Sequence, residues 1–191
     1  HMIFSGNPGT GKTSVARIIG KIFKHIGLLK KGHVHEVKVN DLTSRFVGDT
    51  TKEALRQFNL ALDGVLFIDE AYQLVNDKVI SYRSEVVDVL LTFMVDNSDR
   101  VAVIAAGYPE KMNSFLDANP GLRRRFPPEN VIEFPDYTPA ELMQILLNML
   151  KQDNLSLSET AYAHLNEVTE GLYATRKHGF GNAGEMGNLL D

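Results

Sequence analysis

The stretch Gly6-Asn7-Pro8-Gly9-Thr10-Gly11-Lys12-Thr13 constrains the fold more than any other part of the 191-residue chain. It fits the pattern G-x-x-x-x-G-K-[ST]. A short apolar run, Ile3-Phe4-Ser5, leads into it. Apolar residues at helical spacing follow: Val15, Ile18, Ile19, Ile22, Phe23 and Ile26. A strand that passes directly into a helix through glycines makes a tight turn whose N–H groups face inward. The N-terminus of the helix adds positive potential, so the turn suits a phosphate group. In such a loop Lys12 reaches the β- and γ-phosphates of a nucleotide, and the Thr13 hydroxyl ligates magnesium. A chance match in a chain of this length occurs on the order of once in a hundred.

The segments that follow alternate strand and helix. Val34–Val39 alternates in the manner of a strand. Thr50-Thr51-Lys52-Glu53 has the form of a capping box, with Ala54, Leu55, Phe58 and Leu62 on one face after it. Val65–Ile68 is short, continuous and apolar, as in a buried parallel strand. Residues 84–95 read as a helix. Val101–Ala106 and Val131–Phe134 read as two more buried strands. This alternation predicts an α/β layer fold with a parallel sheet. After Phe134 the pattern becomes helical. Thr138-Pro139-Ala140-Glu141 starts one helix, whose apolar face is Leu142, Ile145, Leu146, Met149 and Leu150. Ser156–Glu159 starts a second, and a third begins near Asn182. The expected organisation is a sheet domain over 3–135 and a helical appendage over 136–191, joined at Pro135–Tyr137. His1-Met2 reads as a cloning remnant and is set aside.

Val65–Ile68 runs into Asp69-Glu70. A parallel strand delivers its carboxyl-end residues to the crevice where ligands bind. Asp69 is placed to hold magnesium, directly or through water. Glu70, one residue on, can orient or deprotonate an attacking water. Tyr72, just after this corner, reads as a packing residue.

Composition excludes several other chemistries. The chain has no cysteine, so disulfides, zinc–thiolate sites and thiol nucleophiles are absent, which fits a reducing cytoplasm. No apolar run reaches the roughly 18–20 residues that span a bilayer. The formal net charge of -4 argues against sequence-independent nucleic-acid binding. His25, His33, His35, His164 and His178 lack metal-ligand spacing with nearby acids; His33 and His35 read as a surface pair.

These motifs, with Gly48-Asp49-Thr50 and Asn119–Phe126, resemble the AAA+ superfamily. Gly64–Tyr72, Ala106-Gly107-Tyr108 and Phe134-Pro135-Asp136-Tyr137 are similar to its CbbX/CfxQ/SpoVK group, which includes red-type Rubisco activase, a sporulation protein and the EccA ATPases. The resemblance runs from about Ile3 to Asp191. It implies a P-loop three-layer sandwich followed by a small α-helical lid. It implies ATP and Mg²⁺ as ligands, self-association into a hexameric ring, and a protein client threaded through the central pore. It also implies a pore loop at Arg45-Phe46-Val47-Gly48, with Phe46 the gripping aromatic. Among Arg123, Arg124 and Arg125 it implies a finger reaching the neighbouring subunit's nucleotide, with Arg125 the first candidate and Arg124 the second. A polar sensor residue is common in the family where this chain has Gly107 and Tyr108; Tyr108 is the candidate for positioning water.

The chain departs from the family at Gly184 and Gly187, where arginine is frequent; the first of those arginines senses the γ-phosphate. The chain also begins at the first strand and stops in the last helix. It therefore reads as an excised ATPase module, with weak nucleotide affinity and poor ring formation expected. Three functions are consistent with this reading: an ATP-hydrolysing protein remodeller, a nucleotide-gated assembly or secretion scaffold, and a nucleic-acid motor. The acidic charge disfavours the last.

Overall fold

The computed structural model describes residues 1–43, 49–75 and 80–190, with backbone alone at 80–83. The chain divides into two compact units, residues 1–5 with 12–133 and residues 6–11 with 134–191.

The first unit holds the sheet. Its strands are β1 (Met2–Gly6), β2 (Val34–Lys38), β3 (Val65–Asp69), β4 (Ala102–Gly107) and β5 (Val131–Phe134). They form a five-stranded sheet in the order β2-β3-β4-β1-β5, and β2–β3, β3–β4 and β4–β1 pair in parallel. Central strands covered on both faces need apolar side chains throughout. Accordingly Val65–Ile68 of β3 and all of β4 are buried. Val131–Phe134 was expected to be a third buried strand. Its place at the sheet edge explains why Ile132 and Glu133 are exposed instead.

His1 and Met2 join the sheet rather than trailing from it. Met2 pairs with Ile104. The Val103 N–H donates to His1 Nδ1 at 3.0 Å, and Asn130 Nδ2 donates to the His1 carbonyl at 2.9 Å.

The helices of this unit are α1 (Lys12–His25), α2 (Thr50–Leu60), α3 (Ile80–Asp96), α4 (Pro109–Asp117) and α5 (Pro120–Arg125). The apolar face expected of α1 is mostly outward. Its buried residues are Ala16 and Gly20, while Ile18, Ile22 and Ile26 are 54%, 49% and 63% exposed. The cause is close packing: a Cβ at Gly20 would lie 2.5 Å from the Gly32 carbonyl oxygen. Only the small-residue face can approach so near, and the isoleucines point away from it. The capping box expected at Thr50–Glu53 is also absent. The N-cap is Asp49, and Glu53 bonds Arg56 and Gln57 instead. The main core joins Leu66 and Ile68 of β3 and Val103 of β4 to Phe58, Phe93 and Phe115.

The second unit contains α6 (Pro139–Gln152), α7 (Glu159–Ala174) and α8 (Ala183–Asn188). Thr138 and Glu141 close a capping box at the start of α6, and Ser158 caps α7 through the Ala161 N–H at 3.2 Å. Leu142, Leu146 and Leu150 pack with Phe180 and Met186, with Ile145 and Met149 beside them. The α/β fold with a helical lid expected from the sequence is therefore the one observed.

Candidate functional site

The glycine loop belongs, from Gly6 to Gly11, to the second unit. Gly9 and Gly11 have φ of 70° and 86°, in the left-handed region that residues with a Cβ seldom adopt. Space forbids a side chain as well: a Cβ on Gly9 would lie 2.1 Å from the Gly181 carbonyl oxygen. Side chains of the 134–183 segment hold the loop. Asn7 Nδ2 donates to Asp136 Oδ1 at 2.9 Å. Asn182 Nδ2 donates to the same oxygen at 2.8 Å and to the Pro8 carbonyl at 3.2 Å. The Ala183 N–H donates to the Gly9 carbonyl at 3.3 Å. Tyr137 Oη donates to the Thr10 carbonyl at 3.2 Å, and Thr10 Oγ1 to the Asn7 carbonyl at 2.8 Å.

Lys12 and Thr13 open α1 in the first unit. Burial pushes the Lys12 ammonium below its usual value, while the Asp69 carboxylate acts to hold it up. Asp69 Oδ1 accepts the Glu70 N–H at 3.0 Å. Glu70 has φ of 52°, so the chain breaks sharply out of the strand at that residue. Its carboxylate accepts from Tyr72 Oη on Oε1 at 3.1 Å and from Gln73 Nε2 on Oε2. Burial, then the bond to Glu70, pushes the Tyr72 phenol up to about 12. Tyr72 is thus a donor to the acidic pair as well as a packing residue.

The arginine run lies in α5 and is not immediately followed by a strand; a 3-10 turn at Pro128–Asn130 intervenes before β5. Arg123 is tied to Asp117, with Nε at 2.8 Å from Oδ1. Arg124 and Arg125 form no ion pair among the described residues and line a groove of about 270 Å³ with Leu91, Val95 and Gly121. At the end of β4, a Cβ on Gly107 would lie 2.8 Å from Tyr72 Cδ1. Tyr108 caps α4 by its backbone, and its ring lies 6.0 Å from that of Tyr72.

Comparison with known proteins matches residues 2–134 to the model of the "ATPase family associated with various cellular activities (AAA)" and residues 138–191 to the AAA lid domain. The chain belongs to the AAA ATPase family. It is 42% identical over 161 residues to "Stage V sporulation protein K" of Bacillus subtilis (strain 168), covering 84% of this chain and 49% of that protein. It is 41% identical over 195 residues to "Protein CbbX" of Cereibacter sphaeroides, covering 100% of this chain and 61% of that one. It is 40% identical to "ESX-3 secretion system protein EccA3" of Mycolicibacterium smegmatis, over 88% of this chain and 28% of that protein. The chain thus spans only part of the length of these relatives. Among solved structures, the FIGL-1 AAA domain in complex with ADP superposes with a TM-score of 0.61 at 23% identity, over 89% of this chain and 55% of that one. That likeness concerns the fold.

Not every expected site residue lies within the described part of this AAA module. Phe46, Val47 and Gly48 of the expected pore loop, with Arg45, lie outside it. Arg176, which stands near the lid departure, is committed elsewhere: its guanidinium lies 3.7 Å over the Tyr173 ring and 3.7 Å from Asp136 Oδ2. Among the described residues no group of three or more His, Cys, Asp or Glu could hold a metal. No described helix is long and apolar enough to cross a membrane. Sequence reasoning assigned no role to Asp136, Asn182 or Gln73. Asp136 sits in the Phe134–Tyr137 stretch that carries the family resemblance, and Asn182 at the expected start of the last helix; those were the available signals. Gln73 stands three residues after Glu70, one helical turn on.

Proposed function

We propose that this AAA module binds ATP and hydrolyses its β–γ bond, and that it does so as part of a hexameric ring that pulls on a protein client. The observation that carries the reading is the placement of Glu70. It follows Asp69 at the carboxyl end of β3, on a backbone turn of φ 52° that takes it out of the strand. A carboxylate delivered there can orient water for in-line attack on a phosphoryl group. That reaction needs positioning and charge stabilisation and no covalent intermediate.

The other roles follow the motif. The loop Gly6-Asn7-Pro8-Gly9-Thr10-Gly11 cradles the phosphates through the backbone N–H groups of its residues other than Pro8, which has none, and Lys12 neutralises their charge. Thr13 and Asp69 offer a hydroxyl and a carboxylate, hard oxygen donors that suit Mg²⁺. Mg²⁺ keeps several waters and substrate phosphates as its remaining ligands. When bound, the ion neutralises charge on the phosphates. Arg125, or Arg124 in its place, acts on the neighbouring subunit's nucleotide, and Phe46 of the pore loop Phe46-Val47-Gly48 grips the client. The cysteine-free composition supports a cytoplasmic setting.

A second reading, a nucleotide-gated scaffold with little turnover, is favoured by Gly184. It stands where the family often has a γ-phosphate-sensing arginine, and a Cβ there meets nothing within 4 Å. ATP hydrolysis per subunit, measured against protein concentration with Glu70→Gln as the blank, tests both. Specific activity that rises with concentration and disappears in the variant supports the shared-site ATPase. A background rate at every concentration, in the full-length protein as well as in this module, removes it in favour of the scaffold.

A further inference from the structure

Both carboxylate oxygens of Glu70 are engaged by donors from the turn that follows it. Tyr72 Oη lies 3.1 Å from Oε1, and Gln73 Nε2 donates to Oε2. The 3-10 turn Ala71–Val75 brings them there. The Gln73 N–H donates to the Glu70 carbonyl at 2.9 Å, closing a turn in which the side chains two and three residues on fold back over Glu70.

We infer that Tyr72 and Gln73 are positioning residues for Glu70, fixing the plane of its carboxylate, and that the Tyr72 ring occupies space left open by Gly107 at the end of β4. The inference rests on the reading of Glu70 as the group that orients water.

Three observations support it. First, the Tyr72 ring is itself held. Lys111 Nζ lies 4.5 Å from its centroid, and the Tyr108 ring packs at 6.0 Å with an interplanar angle of 56°. A hydroxyl on an immobilised ring is a fixed donor, which a free side chain is not. Second, room for the ring depends on Gly107. An added Cβ there would lie 2.8 Å from Tyr72 Cδ1 and 2.7 Å from Met112 Sδ. Gly107, one of the two positions where a polar sensor is expected, thus carries no side chain, and a phenol from the neighbouring turn is packed against it. Third, a carboxylate offers about four lone-pair sites. Two donors leave capacity for water while restricting the rotation that a free glutamate keeps, and orientation of this kind is where enzymes gain rate. Tyr72 keeps its proton at any ordinary pH, because burial and the bond to Glu70 hold its phenol at about 12.

The test is steady-state and single-turnover ATP hydrolysis by the full-length protein, with ADP affinity as the check on folding. Tyr72→Phe keeps the ring and removes only the hydroxyl. It is expected to lower kcat about 3–10-fold with KM for ATP unchanged, in line with the loss of one hydrogen bond. Gln73→Leu is expected to do the same, and the double variant to lose more than either. Gly107→Ala, which displaces the ring, should resemble Tyr72→Phe. An unchanged or raised kcat in Tyr72→Phe and Gln73→Leu overturns the inference, as does a change confined to KM. So does a crystal structure in which neither donor touches Glu70, whatever the turnover. Glu70→Gln separates the two levels: if that variant hydrolyses ATP normally the reading of Glu70 fails, whereas an inactive Glu70→Gln beside an unimpaired Tyr72→Phe removes only the positioning role.

Discussion

Asn182 Nδ2 donates to Asp136 Oδ1 at 2.8 Å, and Asn7 Nδ2 donates to that same oxygen at 2.9 Å. One carboxylate oxygen thus joins the glycine loop to the residue that caps α8. Asn182 is fully buried. Its own Oδ1 accepts the Tyr137 N–H at 2.9 Å, and its φ of 50° is one that asparagine tolerates better than most residues. Asn182→Ala leaves the Tyr137 N–H and Asp136 short of a partner and puts alanine at a positive φ, where it is less at ease than asparagine. A loss of about 1–3 kcal/mol follows from the unsatisfied groups. Asn182→Gly recovers only the backbone part. Urea unfolding measures both. An alanine variant as stable as the parent would show that the network contributes nothing.

Lys12 carries a pH prediction. Only the protonated ammonium attracts phosphate, and burial lowers its pKa below the usual 10.5, opposed by Asp69. Phosphate affinity is therefore full below the lowered value and declines as pH rises through it, earlier than for an ordinary lysine. ADP dissociation constants between neutral pH and pH 10.5 read this out. Asp69→Asn removes the opposing charge and should bring the decline to still lower pH. Affinity that stays level up to 10.5 contradicts the account.

The arginines of α5 should separate sharply. Arg123 is spoken for by Asp117, an exposed pair of the kind that contributes about 0–1 kcal/mol. Arg123→Ala should leave turnover nearly unchanged. Arg125→Ala in the assembled protein should cost about 10³–10⁵ in kcat, the range of an arginine finger, while ADP binding stays intact. Equal effects at both positions would assign the run to the surface rather than to catalysis.

What could be read from the sequence depended on whether the cause was local. The glycine loop was legible because its backbone demands leave a residue-by-residue trace. So was β3, since a strand covered on both faces must be apolar throughout. The acidic pair followed from where that strand ends. Other features depended on distant partners. The outward isoleucines of α1 have ideal helical spacing, and only the approach of Gly32 to Gly20 decides which face turns inward. Val131–Phe134 is apolar but for Glu133, and its place at the edge is set by strand order. Asn182 and Asp136 are 46 residues apart, so nothing local paired them. Tyr72 was legible as packing but not as a donor, because a hydroxyl's partner depends on the shape of a turn that its own letters do not reveal.

Asp63 supplies a prediction about stability in acid. It turns the chain from α2 toward β3 with φ of 68°, and its carbonyl accepts the N–H groups of Lys31 and Gly32 at 2.8 and 3.0 Å. Its carboxylate meets Arg100, with Nε at 3.1 Å from Oδ1 and Nη2 at 3.2 Å from Oδ2. These bonds to Arg100 lead the causes that hold its pKa below the usual 3.8. A carboxyl group whose folded-state pKa is depressed stabilises the protein above its unfolded value, and that stabilisation is lost as pH falls through the folded one. Arg100→Ala removes the main cause. The difference in melting temperature between parent and variant should therefore be full above about pH 5, shrink as the pH falls through 3.8, and vanish once Asp63 is protonated in both states. Melting curves from pH 6 down to about 2 follow it directly. A difference that persists unchanged at the acid end would mean that Arg100 acts through packing rather than through the charge on Asp63.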